Sequence, residues 1–144
     1  MRALLAALAL AALAPAAAQD AISLWRWNGV TLRLEAQGDS RQFLIEDIPP
    51  SLARQLGIAP GAIFWQGQRR GERLVGEALL YQAGCPALPY AMDGSARIGA
   101  GGAIALRGQR PLRAPGDCAV QAGTAPEVMV LKYISRAAPA EGGE

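Results

Sequence analysis

The residues able to do chemistry in this 144-residue chain are few, and the first constraint is an absence. The chain contains no histidine, which excludes the standard Ser-His-Asp and Cys-His nucleophilic sites and zinc sites built from His and Cys. No glycine-rich segment ends in Lys-Ser or Lys-Thr, so a phosphate-cradling loop is excluded too, and Gly99-Ala100-Gly101-Gly102 reads as a turn. Paired carboxylates remain. A glycan hydrolase needs two of them roughly 5 to 9 Å apart with different proton affinities. Glu46, Asp47, Glu77 and Asp93 are the candidates in or beside strand-like segments. Neighbours such as Glu46 and Asp47 point to opposite faces of a strand, and nothing local brings Glu77 to Asp93. They are read as solvated surface charges, so no catalytic residue, cofactor or metal is assigned.

Binding chemistry has more to work with. Arg69, Arg70 and Arg73 cluster around one turn, and Arg107, Arg110 and Arg113 follow along a later segment. A guanidinium pairs bidentately with carboxylates and phosphates, so these clusters could meet an acidic partner of the bacterial envelope. The competing reading is turn residues made Arg-rich by genomic bias, because arginine outnumbers lysine thirteen to one. Trp25, Trp27, Trp65 and Tyr81 either line a cavity for a small apolar ligand, as in ligand-holding barrels, or fill the core. The formal net charge is only +2, which argues against a nucleic-acid binder, whose basic face dominates the total.

The N-terminus, MRALLAALALAALAPAAAQD, places Arg2 before an apolar run from Ala3 to Leu13, then Pro15 and the small residues Ala16-Ala17-Ala18. That is the layout of a cleavable signal peptide over residues 1–18. The run is shorter than the ~20 apolar residues a membrane span needs. Export to the periplasm or the medium is expected, leaving a single soluble β-rich domain over 19–136 and a frayed tail over 137–144. An oxidising compartment suits the only two cysteines, Cys85 and Cys118. A structural disulfide between them is favoured over free thiols, and its 33-residue spacing corresponds to about 3–4 kcal/mol in the chain-entropy account.

The elements that would position these residues are short β-runs separated by turn formers. Ile22–Trp27 and Val30–Glu35 flank Asn28-Gly29, the strongest short hairpin signal, because a type I′ turn needs positive φ at both central residues. A two-residue turn sets Trp27 opposite Val30 and Trp25 opposite Leu32, with both tryptophans on the face of Leu34. Further strands are expected over Gln42–Glu46, Ala62–Gln66, Leu74–Tyr81, Tyr90–Met92, Ala103–Arg107, Ala119–Gln121 and Val128–Ile134. Ser51–Gly57 reads as a short helix, with Ser51 as N-cap and Gly57 as its stop. The fold class is all-β: a small antiparallel barrel or sandwich of about seven to nine strands with one short helix.

Several spacings, Trp25-x-Trp27-Asn28-Gly29, Gly61-x-x-Phe64-x-x-Gly67-x-x-x-Gly71, Gly76-x-Ala78, Cys85-x-x-x-x-Tyr90-x-x-x-Gly94, Leu106-x-Gly108-x-x-Pro111 and Cys118, resemble a group of small exported β-rich proteins, mostly alphaproteobacterial, that has no assigned activity. The chain departs from that pattern at Val30, where serine is usual. The resemblance implies export, the disulfide and a β-fold, and supplies no activity. The expected function is therefore a non-enzymatic envelope domain with a binding or structural role. The alternatives are a periplasmic protein-inhibitor module, like lysozyme inhibitors in outline only, and, further off, a carboxylate-dependent glycan hydrolase.

Overall fold

The computed structural model describes residues 21–136; the expected signal peptide and the tail lie outside them. Eight strands follow one another: β1 (Ala21–Trp27), β2 (Val30–Gln37), β3 (Ser40–Asp47), β4 (Ile63–Arg70), β5 (Arg73–Leu80), β6 (Leu88–Ser95), β7 (Ala103–Arg113) and β8 (Val120–Arg136). Each pairs antiparallel with the next, and β8 returns to β1, so the sheet closes into an up-and-down barrel. Barrel, not sandwich, is the outcome, and closure leaves no full-length free edge. Register shifts at Leu24/Trp25, Thr31/Leu32, Phe43/Leu44 and Pro111/Arg113 bend the strands where the sheet has to curl.

The first hairpin forms as its chemistry dictates. Asn28 and Gly29 both hold positive φ, 45° and 77°, and Trp25 faces Leu32 while Trp27 faces Val30. Alternation then sends Trp25, Leu32, Phe43, Ile45, Trp65, Ala78, Met92, Leu106 and Leu131 into one sealed core. Trp25 and Phe43 meet edge to face at 6.0 Å, and Phe43 reaches Trp65 at 6.2 Å. The Trp65 indole lies across Gly67 and Gly76, where an added Cβ would come within 2.8 and 2.7 Å of the ring. Glycine at both positions is what lets so large a side chain fit inside so narrow a barrel. Outward positions carry Arg33, Glu46, Gln66, Glu77 and Arg107, the reverse of barrels whose outer band faces lipid. Among the described residues no helix is long and apolar enough to cross a membrane.

Three expectations are corrected. The helix α1 spans Pro50–Leu56 with Pro49, not Ser51, at its N-cap and no side-chain cap; proline suits the first turn, where its missing N–H leaves nothing unpaired. Gly57 does end it, in the left-handed region at φ 69°. The pieces Ala119–Gln121 and Val128–Ile134 are one 17-residue strand, β8, which runs through Gly123 and Pro126. The strands expected over Tyr90–Met92 and Ala103–Arg107 are longer, extending to Leu88–Ser95 and Ala103–Arg113 as β6 and β7.

The meander gives the barrel two unlike ends. At one lie the β2–β3 and β4–β5 hairpins and the β6–β7 turn. At the other lie the Asn28–Gly29 turn, α1, the β5–β6 loop and the β7–β8 loop. The last two loops are joined by the Cys85–Cys118 disulfide, across a sequence separation of 33.

Candidate functional site

The barrel is filled unevenly along its axis. Trp25 and Trp65 are 2% and 0% exposed, and the Trp65 Nε1–H donates to the Met92 carbonyl at 2.8 Å. Both are sealed core and present nothing to a ligand, which removes them from the expected binding surface. Trp27 and Tyr81 differ. They lie towards the disulfide end, where Trp27 packs on Phe64 at 5.0 Å between ring centroids and the Tyr81 hydroxyl donates to the Ile63 carbonyl. Both belong to the wall of a chamber of about 110 Å³. Its other walls are apolar, among them Ile48, Phe64, Leu80 and Met129, and α1 roofs it with Leu52 and Leu56.

One polar group interrupts this lining. The buried Tyr90 donates its hydroxyl to Glu127 Oε2 at 2.7 Å, and Arg110 Nε stands 3.8 Å from the same oxygen. The three residues come from β6, β8 and β7, and the reason they meet is a weakness in the sheet. Pairing between β6 and β7 covers only Met92–Gly94 against Leu106–Gly108. Towards the disulfide end the two strands part, and both unpaired runs carry a proline, Pro89 and Pro111, which offers no donor. Continued register would place Tyr90 opposite Arg110, so side chains stitch the seam where backbone bonds stop. Burial raises the Tyr90 pKa, the hydrogen bond and the charge of Glu127 raise it further, and Arg110 pulls it back in part. The phenol is thus held protonated, as a donor and not a base.

The cap over this end is a single assembly. Ala83 N–H donates to the Gln55 carbonyl at 3.2 Å, tying α1 to the β5–β6 loop. Gly57 abuts Ala83 so closely that a Cβ there would come within 2.9 Å of the Ala83 Cα. Gln82 Nε2 donates to the Asp117 carbonyl at 3.3 Å and Arg113 Nη2 to the Pro86 carbonyl at 2.9 Å, both alongside the disulfide.

No family model matches this chain, and neither any curated protein nor any solved structure does.

The remaining candidates are scattered. Arg69, Arg70 and Arg73 stand at the β4–β5 hairpin, at the end opposite the cap; Arg69 donates to the Gly71 carbonyl and Arg70 pairs directly with Arg73. Arg107 faces outward in mid-strand beside Asp93. Arg110 and Arg113 belong to the cap end, so the two arginine groups do not form one surface. Glu46 pairs with Arg33 at 3.0 Å, Asp47 lies exposed at the end of β3, and Asp93 Oδ1 accepts the Gly76 N–H, which leaves Glu77 without a carboxylate partner. A larger groove of about 680 Å³ crosses the outside of β2–β5 past Glu35, Gln42, Gln66 and Glu77. Its lining is mixed, with Arg41 and four glutamine amides beside Glu35 and Glu77, so the mainly apolar chamber beneath α1 is the better candidate despite its size.

Sequence reasoning missed Tyr90, Glu127 and the helix roof. One signal was present: Glu127-x-Met129-x-Leu131 puts a carboxylate in phase with two core residues, and an acid on the inward side of a strand is unusual enough to mark a site.

Proposed function

We propose that this barrel is an exported binding protein that takes the short apolar end of a small molecule into the chamber beneath α1. The observation that carries this reading is a mainly apolar space beneath α1 bordered by one internally satisfied polar group, Tyr90–Glu127–Arg110. Ligand pockets have this composition, with apolar walls giving affinity and a few placed polar atoms fixing orientation. The size limits the occupant. An apolar cavity of about 150 Å³ accepts benzene, so one of about 110 Å³ takes a short aliphatic chain or a small ring and nothing as long as a fatty acid.

Chemistry beyond binding has little support at this site. The phenol is protonated, the one carboxylate beside it already accepts from it, and no second acid adjoins. Export is supported by the N-terminal pattern and by the disulfide that joins the cap loops.

Methyl NMR tests the reading directly. Titration with 1-hexanol is expected to give saturable shifts confined to the methyl groups of Val30, Ile45, Ile48 and Met129. Shifts that fail to saturate, or that spread over the outer face, would refute it.

A further inference from the structure

A second cleft, of about 430 Å³, opens on the solvent side of the cap between α1 and the β7–β8 loop. Leu56 and Tyr81 belong to the walls of both this cleft and the apolar chamber, so the two spaces adjoin. Arg113 forms part of the cleft wall, and its charge is poorly matched. Nη2 donates to the Pro86 carbonyl at 2.9 Å, whereas Nε and Nη1 are withdrawn from solvent and meet no protein acceptor among the described residues. Among the described residues no carboxylate pairs with it.

That arrangement is costly. A buried donor without an acceptor costs about 1–3 kcal/mol, and more when the group is charged. Nearby, Arg110 keeps 40% of its side chain exposed and lies 3.8 Å from Glu127. Arg110 and Glu127 offset each other and Asp117 stays on the exposed side of the β7–β8 loop, so what favours an anion here is the unmatched guanidinium of Arg113 and not the net charge of the cap. A guanidinium with unmet donors offers what an oxyanion needs, a planar charge with several N–H groups.

We propose that the Arg113 cleft is an anion subsite and that the ligand is a short amphiphilic acid. Its apolar end lies in the chamber and its carboxylate on Arg113, so this inference rests on the chamber reading given above. Because Nε and Nη1 are covered by the surrounding side chains and backbone, Arg113 turns towards the cleft on binding and exchanges its contact with Pro86 for the carboxylate.

Isothermal titration at fixed ionic strength compares hexanoate with 1-hexanol, which share a tail and differ in charge. Wild-type protein is expected to bind hexanoate at least tenfold more tightly. Arg113→Gln should erase that preference and keep hexanol binding, while Arg107→Gln, on the outer face, should leave both unchanged. Equal affinity for the two ligands in the wild type would overturn the anion subsite and leave the chamber reading intact. A preference that survives Arg113→Gln, or falls equally with Arg107→Gln, would overturn it too, by showing general attraction. If neither ligand binds, the chamber reading itself fails and this inference falls with it. The wild-type comparison stands alone should Arg113→Gln fold poorly.

Discussion

Tyr90 sits where the hydrogen-bonded ladder between β6 and β7 has ended and side chains take over, and its ionisation gives a readable signature. Burial and Glu127 raise its pKa above the unfolded value of about 10. The folded state therefore holds this proton more tightly than the unfolded chain does. Stability from this group is complete below about pH 10 and is lost as pH rises from there towards the folded pKa. Urea midpoints measured from pH 8 to 11 should fall at the alkaline end in the wild type. Tyr90→Phe should flatten much of that fall, at a cost near neutrality of about 0.5–1.5 kcal/mol for the lost hydrogen bond. Tyr81 is also raised by burial, so some slope persists in the variant; an unchanged slope would contradict the account. At this scale the sequence was partly legible. Trp27 and Tyr81 were recognisable as aromatic candidates, but tryptophan identity alone could not tell the chamber wall from the sealed core at Trp25 and Trp65. Glu127 escaped notice because Pro126 made the last strand appear to begin after it.

Among the elements, the cap depends on the disulfide more than on strand pairing. Only three residue pairs join β6 to β7, and beyond them the strands are held by Tyr90–Glu127–Arg110, by Arg113 on Pro86 and by Cys85–Cys118. Removing the cross-link over a separation of 33 residues costs about 3–4 kcal/mol by chain entropy. Reduction, or Cys85→Ser, should raise hydrogen exchange first in residues 81–87, 114–119 and the β6–β7 seam. The β1–β5 strands, paired along nearly their whole length, should keep their protection. A uniform rise across the barrel would contradict this. The first hairpin could be read from sequence because Asn28-Gly29 specifies its own geometry. The 17-residue β8 could not, because its internal Gly123 and Pro126 carry local turn signals. Proline is tolerated there since β1 pairs with β8 only at Lys132–Arg136, which leaves the Val120–Leu131 run with β7 as its single partner.

For the whole molecule, alternating runs and frequent turns were enough to specify an antiparallel β-fold of about seven to nine strands. Barrel against sandwich was not decidable from them. Closure rests on β1 meeting β8, the pairing of greatest sequence separation, and no local pattern encodes it. Nor does any local pattern reveal that a small space remains between the core and α1. That incompleteness predicts a trade of stability against binding. Val30 is 1% exposed and borders the chamber, so Val30→Ile adds a methylene on the chamber wall. It should raise unfolding free energy by up to about 0.8 kcal/mol and weaken hexanol binding; destabilisation with binding intact would mean the space is already filled. The central claim, that the chamber is a ligand-accepting apolar space, is tested most directly by a crystal structure under xenon pressure. The account predicts a xenon atom among Ile48, Phe64 and Met129 with the Tyr90–Glu127 bond undisturbed. Leu52 and Leu56 packed down into the chamber, with no xenon there, would contradict it.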